Sequence, residues 1–131
     1  MTESGGPRRP SAELWVLHVD RQDVDGVAVL VARGRVGVAG ASDLVAVCSN
    51  AIRDGKRSLL LDLQGVDYMS SPGLAALAAI DALCRRAGGA LVACSLSEPV
   101  RIVLDMSGVL AVLDVEPSQA EALARLTLSG D

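Results

Sequence analysis

Residues 59–74 read LLLDLQGVDYMSSPGL, and this stretch decides the fold. The run 59–63 is apolar apart from Asp62 and is bounded by polar residues, which is typical of a central strand covered on both faces. The residues after it contain Ser70 and Ser71 followed by Pro72. Serine caps the free N–H groups at a helix start, and proline is tolerated in the first turn. The sequence therefore predicts a buried strand, a tight loop and a helix without a spacer.

Two β-rich runs, 14–19 and 27–36, precede this stretch. They are separated by residues 20–26, in which Asp25-Gly26 is a strong turn signal, so we expect a β-hairpin. In the first run His18 is expected on the solvent side. No acid or nucleophile stands at a recognisable spacing from it, so the sequence supports no catalytic triad.

The first helix is predicted to begin at Ser42 and Asp43, after a small and flexible linker over 37–40. Its apolar residues recur at helical spacing and form one core-facing stripe, after which Gly55 ends the helix. A strand, a helix and a second strand in this order predict a parallel crossover. The stripe consists of Leu44, Val47, Cys48, Ala51 and Ile52.

The helix after Ser71 is predicted to pack on the sheet through one side and to expose the other. The exposed side has one leucine, several alanines and charge only in its C-terminal half, and it includes Leu74, Ala75 and Ala78. Such a surface is suited to close docking of a partner helix. An ordinary alanine-rich helix surface explains the same pattern equally well, since alanine is the best helix former.

The rest of the chain predicts two short strands and two helices. We expect strands at 90–96 and around 111–115, a helix from Ser97 to Gly108, and a last helix ending near Leu126. Ser118 and Glu121 have capping-box spacing at the start of that last helix. The fold class is therefore α/β, with a mixed sheet of about five strands and about four helices packed mainly on one face.

Composition restricts the possible functions. The chain has 131 residues, half of them hydrophobic, with one Trp, one Tyr and no Phe, and its net charge is −4. Few aromatic residues and a negative charge argue against nucleic-acid binding. We expect one domain over 13–127, a disordered tail over 1–12, a C-terminal tail over 128–131, no signal peptide or membrane span, and a cytoplasmic location.

Three cysteines, Cys48, Cys84 and Cys94, are widely spaced and include no Cys-x-x-Cys pair. The sequence predicts no metal site and no cofactor. Small buried hydrophobic side chains are the expected role of these cysteines. A redox switch through a pair of them is the alternative, and it requires that the two thiols lie close together.

The position of Ser70 and Ser71 at the predicted helix start, which we call the serine corner, favours binding of a phosphate group. A serine at a helix N-terminus faces unpaired N–H groups and the positive end of the helix dipole, where a phosphate is well received. Phosphorylation adds about −1.5 to −2 charges, so one modification changes the local potential without refolding. Plain helix capping is the alternative explanation for the same residues.

The stretch from Asp62 to Leu74, with DLxxVxYMSSxGL, resembles the signature of STAS domains, particularly that of anti-sigma-factor antagonists. A strand-ending Gly34-Arg35 and the late helix at Ser118 extend the likeness over about 14–126. The resemblance implies that Ser71 is phosphorylated by an anti-sigma-factor kinase, with Ser70 as the second candidate. Two positions depart from the family pattern, Ser70 where many members have aspartate and Gly37 where an acidic residue is frequent. The implied partner contacts are Arg35, Asp67, Tyr68, Ser70, Gly73, Leu74, Ala75 and Ala78.

The leading hypothesis is a non-enzymatic regulator in partner switching. It binds an anti-sigma factor, itself a serine protein kinase, and is released when Ser71 is phosphorylated; a phosphatase is a further expected partner, and the chain is a monomer or weak dimer. One alternative is a STAS scaffold or oligomerisation module in which Ser71 is only a helix cap. Others are an antagonist under redox regulation through its cysteines, and small-ligand or thiol-based sensing through Cys84 and Cys94. A further alternative is an enzyme with the Ser70-Ser71 corner as nucleophile, for which the sequence offers no evident base.

Overall fold

A computed structural model describes residues 16–129 of the chain, with the side chains of the last two left out. This part forms a five-stranded sheet and five helices, which confirms the predicted fold class. The predicted N-terminal tail lies outside the described residues. In chain order the elements are β1 (Leu17–Val24), β2 (Val27–Val36), α1 (Val38–Arg53), β3 (Ser58–Met69), α2 (Ser71–Arg86), β4 (Ala90–Cys94), α3 (Glu98–Ser107), α4 (Val109–Val112), β5 (Asp114–Glu116) and α5 (Gln119–Ser129).

The sheet has the strand order β1-β2-β3-β4-β5. Strands β1 and β2 form the predicted antiparallel hairpin, and every later pairing is parallel. The hairpin turn consists of Asp25 and Gly26, with φ values of 51° and 82°. Two successive positive φ values are what a two-residue hairpin turn requires, and they explain the Asp-Gly sequence. The predicted parallel crossover through α1 is confirmed as well.

Strand β3 is central and is covered on both faces, as its apolar run predicted. Alternate residues Leu59, Leu61 and Leu63 enter the larger core, which also holds buried residues of α1, α2 and α3. Leu60 enters a smaller core on the opposite face, beneath α5. The two-sided burial fixes the N-terminal half of β3 in the sheet, and the pairing of Met69 with Val36 fixes its C-terminal end, where the serine pair begins.

Helix α1 begins at Val38, with Gly37 as its N-cap, so the prediction of a start at Ser42 after a flexible linker is wrong. Gly40 is buried within the first turns of this helix. A Cβ there would lie 2.9 Å from the carbonyl oxygen of Arg35 and 3.3 Å from the Leu17 side chain. The glycine is therefore needed for close packing, and its presence in the sequence does not indicate a flexible loop.

Other boundaries also differ from the sequence prediction. Strand β1 continues to Val24, and β3 continues to Met69 because residues 65–69 pair with the end of β2, where a loop was expected. The strand predicted at 111–115 lies later, at Asp114–Glu116, after the short helix α4. Helix α5 runs to Ser129, beyond the predicted end near Leu126. None of the described helices is long and apolar enough to cross a membrane.

Candidate partner-binding surface at the strand-to-helix corner

The serine pair follows directly from the end of the central strand. The backbone N–H of Ser70 donates to the carbonyl oxygen of Val36 at 2.9 Å, which joins the ends of β2 and β3. The hydroxyl of Ser70 accepts a hydrogen bond from the backbone N–H of Gly73 at 3.2 Å. Ser70 is therefore the N-cap of α2, and the alternative that assigned this role to Ser71 is wrong.

Ser71 is the first residue of α2, and its side chain is exposed. Within residues 16–129, no hydrogen bond involves its hydroxyl. Because Ser70 already provides the cap, the Ser71 hydroxyl is available to an enzyme or a partner. Pro72 occupies the second position of the helix, where its missing N–H costs no hydrogen bond.

Gly73 is buried against the ends of both strands. A Cβ at this position would lie 2.8 Å from Cγ of Met69 and 2.8 Å from Cγ1 of Val36. The absence of a side chain therefore lets the first turn of α2 rest directly on the sheet. Gly73, which was predicted as a partner contact, has a packing role in the structure that places Ser71 at the surface.

The N-termini of α1 and α2 lie side by side at the same edge of the sheet, because β2 and β3 are parallel and end with the pair Val36 and Met69. Gly37 caps α1 without a side chain. Neither helix has an acidic residue in its first turn. The positive ends of the two helix dipoles therefore face this edge without an acidic side chain in either first turn.

Arg35, Asp67 and Tyr68 form a cluster beside the corner. Nε of Arg35 lies 3.7 Å from Oδ1 of Asp67, and Cζ of Arg35 lies 5.7 Å from the centroid of the Tyr68 ring. The second distance is within the range of a cation–π contact. Arg35 and Tyr68 are cross-strand partners at the ends of β2 and β3. The structure thus brings these three predicted partner contacts together.

Apolar and small side chains complete the exposed surface. Tyr68 is 37% exposed and Val38 is 74% exposed. Ala75 and Ala78 are exposed on α2, as predicted, whereas Leu74 is half-buried and packs against the larger core, so its predicted exposure is wrong. Val38 was not recognised from the sequence, because it was assigned to a flexible linker. We call the set Arg35, Val38, Asp67, Tyr68, Ser71, Ala75 and Ala78 the corner surface.

The three cysteines are buried and free, which confirms the expected role as small buried side chains. Cys48 and Cys84 belong to the larger core and Cys94 to the smaller one on the other face of the sheet. Burial raises the pKa of Cys48 and Cys84 to about 12 and that of Cys94 to about 11. Such thiols are poor nucleophiles at neutral pH, which disfavours the redox alternative.

Comparison with known proteins identifies the family. The sequence profile of the STAS domain matches residues 18–122. A protein of Bordetella bronchiseptica that is named as an anti-sigma factor antagonist, BtrV, is 35% identical over 101 residues, which are 77% of this chain and 87% of that protein. The chain belongs to the STAS domain family, as its central signature predicted.

Solved structures share the fold at lower sequence identity. The crystal structure of an anti-sigma factor antagonist from Mycobacterium paratuberculosis gives a TM-score of 0.76 at 22% identity, covering 85% of this chain and 94% of that one. The structure of the Bacillus cell fate determinant SpoIIAA in its phosphorylated form gives a TM-score of 0.63 at 17% identity, covering 84% of this chain and 98% of that one. At these identities the likeness supports the fold alone.

Proposed function

We propose that the chain is an anti-sigma-factor antagonist whose binding is controlled by phosphorylation of Ser71. The observation that supports the proposal is that the two serines have different structural roles. Ser70 caps α2, whereas Ser71 is exposed at the first helical position. A kinase can therefore modify Ser71 without removing the cap that begins the helix.

The surroundings of Ser71 favour a phosphate in the free protein. Two helix N-termini meet at this edge and neither first turn contains an acidic residue. Backbone N–H groups and the helix dipoles stabilise an anion at such a place. Phosphorylation is thus compatible with the folded domain, and its effect falls on whatever binds the corner surface.

The corner surface fits a protein partner in the unmodified state. Val38, Tyr68 and the alanines of α2 offer apolar and small groups for close contact, and Arg35 and Asp67 offer charge of both signs at the rim. A phosphate of about −1.5 to −2 charges placed within such an interface must be desolvated or must open the contact. A loss of about 2.7 kcal/mol is enough to weaken binding 100-fold.

The proposed partner is an anti-sigma factor that is also the serine kinase for Ser71, with a phosphatase restoring the binding form. The relative from Bordetella bronchiseptica that is named as an anti-sigma factor antagonist supports an anti-sigma factor as the partner. The proposal includes a cytoplasmic location and no catalytic activity. The only lysine, Lys56, precedes β3 while Ser71 follows it, so this lysine lies at the opposite end of the strand and cannot activate the hydroxyl.

The test begins with phosphosite mapping and continues with affinities. Intact-mass and peptide analysis of the protein from its own cells should place a phosphate on Ser71. The anti-sigma factor recovered with Ser71→Ala as bait is then titrated calorimetrically against Ser71→Ala and Ser71→Glu. We expect wild-type affinity for the first and a loss of at least about tenfold for the second, since each tenfold step corresponds to about 1.4 kcal/mol.

Ala124→Glu is the matched control, because it adds the same charge at an exposed position of α5, on the other face of the sheet. It should bind as the wild type does. Equal affinities of Ser71→Ala and Ser71→Glu would refute the phosphorylation switch. Such a result would leave an unswitched scaffold as the function of this surface.

A further inference from the structure

The outward side of α3 carries apolar side chains that the described part of the chain does not cover. Ile102 is 48% exposed and Met106 is 82% exposed. The two residues are four apart, so they lie on the same side of the helix. Val100 and Leu104 on the other side are fully buried, which fixes the direction in which the exposed pair points.

A stripe of opposite charges runs beside this apolar pair. Arg101 and Asp105 are both exposed, and each precedes one of the two apolar residues. They are also four apart and share one flank of α3. Neither side chain forms an ion pair with another residue of the range 16–129. The flank therefore holds one positive and one negative charge that are free to pair outside the chain.

This pattern is complementary to itself. When two copies of a helix pack antiparallel about a two-fold axis, residue i of one copy faces residue j of the other and residue j faces residue i, with i and j equally far from the axis along the helix. If the two helices contact each other through Ile102 and Met106, the flank that holds Arg101 and Asp105 lies on the same side of the contact in both copies. Arg101 of each copy faces Asp105 of the partner copy, which gives two ion pairs around an apolar centre.

We propose that the protein forms a symmetric homodimer through α3, with Ile102 and Met106 at the centre and two Arg101–Asp105 pairs at the rim. The inference does not depend on phosphorylation of Ser71. Helix α3 has ten residues, so it is about 15 Å long. This contact is smaller than the roughly 800 Å² per partner of a standard interface, and the dimer should dissociate in the micromolar range or above.

Sedimentation velocity of the full chain, from about 10 µM to about 1 mM, measures the dissociation constant of the dimer. This range covers the weak affinity expected for a contact of this size. We expect the wild type to change from monomer to dimer over this range. Arg101→Asp and Asp105→Arg each replace two attractions by two repulsions, and each should weaken dimerisation by at least about tenfold. Arg86→Asp and Asp43→Arg are the matched controls, since they make the same charge changes at exposed positions of α2 and α1.

An equimolar mixture of the two α3 variants provides the decisive result. One variant then carries two acidic residues on the flank and the other two arginines, so the pair is complementary again. The mixture should form a heterodimer at concentrations where each variant alone is monomeric. Circular dichroism shows whether each variant is folded, and Ser71→Ala and Ser71→Glu should dimerise equally.

Three results would overturn the proposal. One is a wild type that stays monomeric up to the highest concentration. The second is a folded pair of α3 variants that dimerises no less than the matched controls. The third is a mixture that remains monomeric, because the charges of Arg101 and Asp105 would then not face each other across the dimer.

Discussion

The hydroxyl oxygen of Ser70 lies 3.2 Å from the backbone nitrogen of Gly73 and accepts its hydrogen bond. This bond separates two roles that the sequence places on adjacent, chemically identical residues. Ser70 holds the start of α2, and Ser71 presents a hydroxyl to solvent. The separation matters for regulation, because a phosphate on Ser71 leaves the oxygen that caps the helix unmodified.

The two serines should therefore differ in their effect on stability. Ser70→Ala removes the cap, and we expect it to lower the free energy of unfolding by about 0.5–2 kcal/mol. Ser71→Ala removes no hydrogen bond and should change it by less than about 0.5 kcal/mol. Urea denaturation measures both, with Ser70→Asp as a variant that keeps a capping oxygen and should recover most of the loss. Equal losses for the two alanine variants would contradict the assignment of the cap.

Gly73→Ala tests whether α2 approaches the sheet closely, because the sign of the change in the free energy of unfolding depends on this contact. Helix propensity alone predicts that alanine stabilises this helical position by up to about 1 kcal/mol. The added Cβ, however, would lie 2.8 Å from both Met69 and Val36 and 3.3 Å from the carbonyl oxygen of Val36. Overpacking of this kind costs about 1–3 kcal/mol, so we expect net destabilisation. A stabilised variant in thermal or urea unfolding would show that the contact relaxes easily.

The serine corner was predictable because its signals are local. A continuous apolar run marks a strand buried on two faces, and Ser-Ser-Pro marks a helix start whatever surrounds it. The sequence did not distinguish the roles of Ser70 and Ser71, since either hydroxyl can cap a helix. That distinction depends on where β3 ends, and this end is fixed by the pairing of Met69 with Val36 on the neighbouring strand.

Features that depend on tertiary contacts were not predictable from local patterns. Gly40 was interpreted as part of a linker, but its role follows from its closeness to Arg35 and Leu17, which are neighbours only in the fold. The exposure of Val38 on the corner surface was missed for the same reason. Strand β5 has only three residues and is defined by its pairing with β4, so the local sequence contains almost no pattern from which its position could be predicted.

The buried carboxylate of Asp62 should couple the central strand to α5. Its Oδ1 accepts from the backbone N–H of Gln64 at 2.9 Å, and its Oδ2 accepts from Nε2 of Gln119 at 2.8 Å. We expect Asp62→Ala to lower the free energy of unfolding by about 1–3 kcal/mol, because it removes the charged acceptor of two partly buried hydrogen bonds. Gln119→Ala should lower the free energy of unfolding by less than Asp62→Ala does, since Gln119 is exposed.

A double-mutant cycle of Asp62→Ala and Gln119→Ala measures their interaction directly. Residues that share a hydrogen bond show coupling energies of about 0.5–3 kcal/mol. Ala124, exposed on the same helix, provides the control: a cycle of Asp62→Ala with Ala124→Ser should be additive. Additive effects in the first cycle as well would contradict the bond between β3 and α5.

The native protein should resist thiol reagents. Burial raises the pKa of all three cysteines, to about 12 for Cys48 and Cys84 and about 11 for Cys94, so almost no thiolate exists at pH 8. We expect iodoacetamide to label none of them in the folded chain within the time in which it labels all three in urea. Rapid native labelling of one cysteine, located by peptide mass analysis, would show that its element opens locally.

The thiol of Cys48 should also make stability depend on pH in the alkaline range. Its native pKa of about 12 exceeds the ordinary value of 9.0, so the unfolded chain releases this proton first. The stabilising contribution is complete below pH 9 and is lost as the pH rises towards 12. Between pH 9 and 11 the stability difference between the wild type and Cys48→Ala should therefore shrink by up to about 1.4 kcal/mol per pH unit. Urea unfolding at several pH values measures this difference, and a constant value would mean that Cys48 ionises alike in both states.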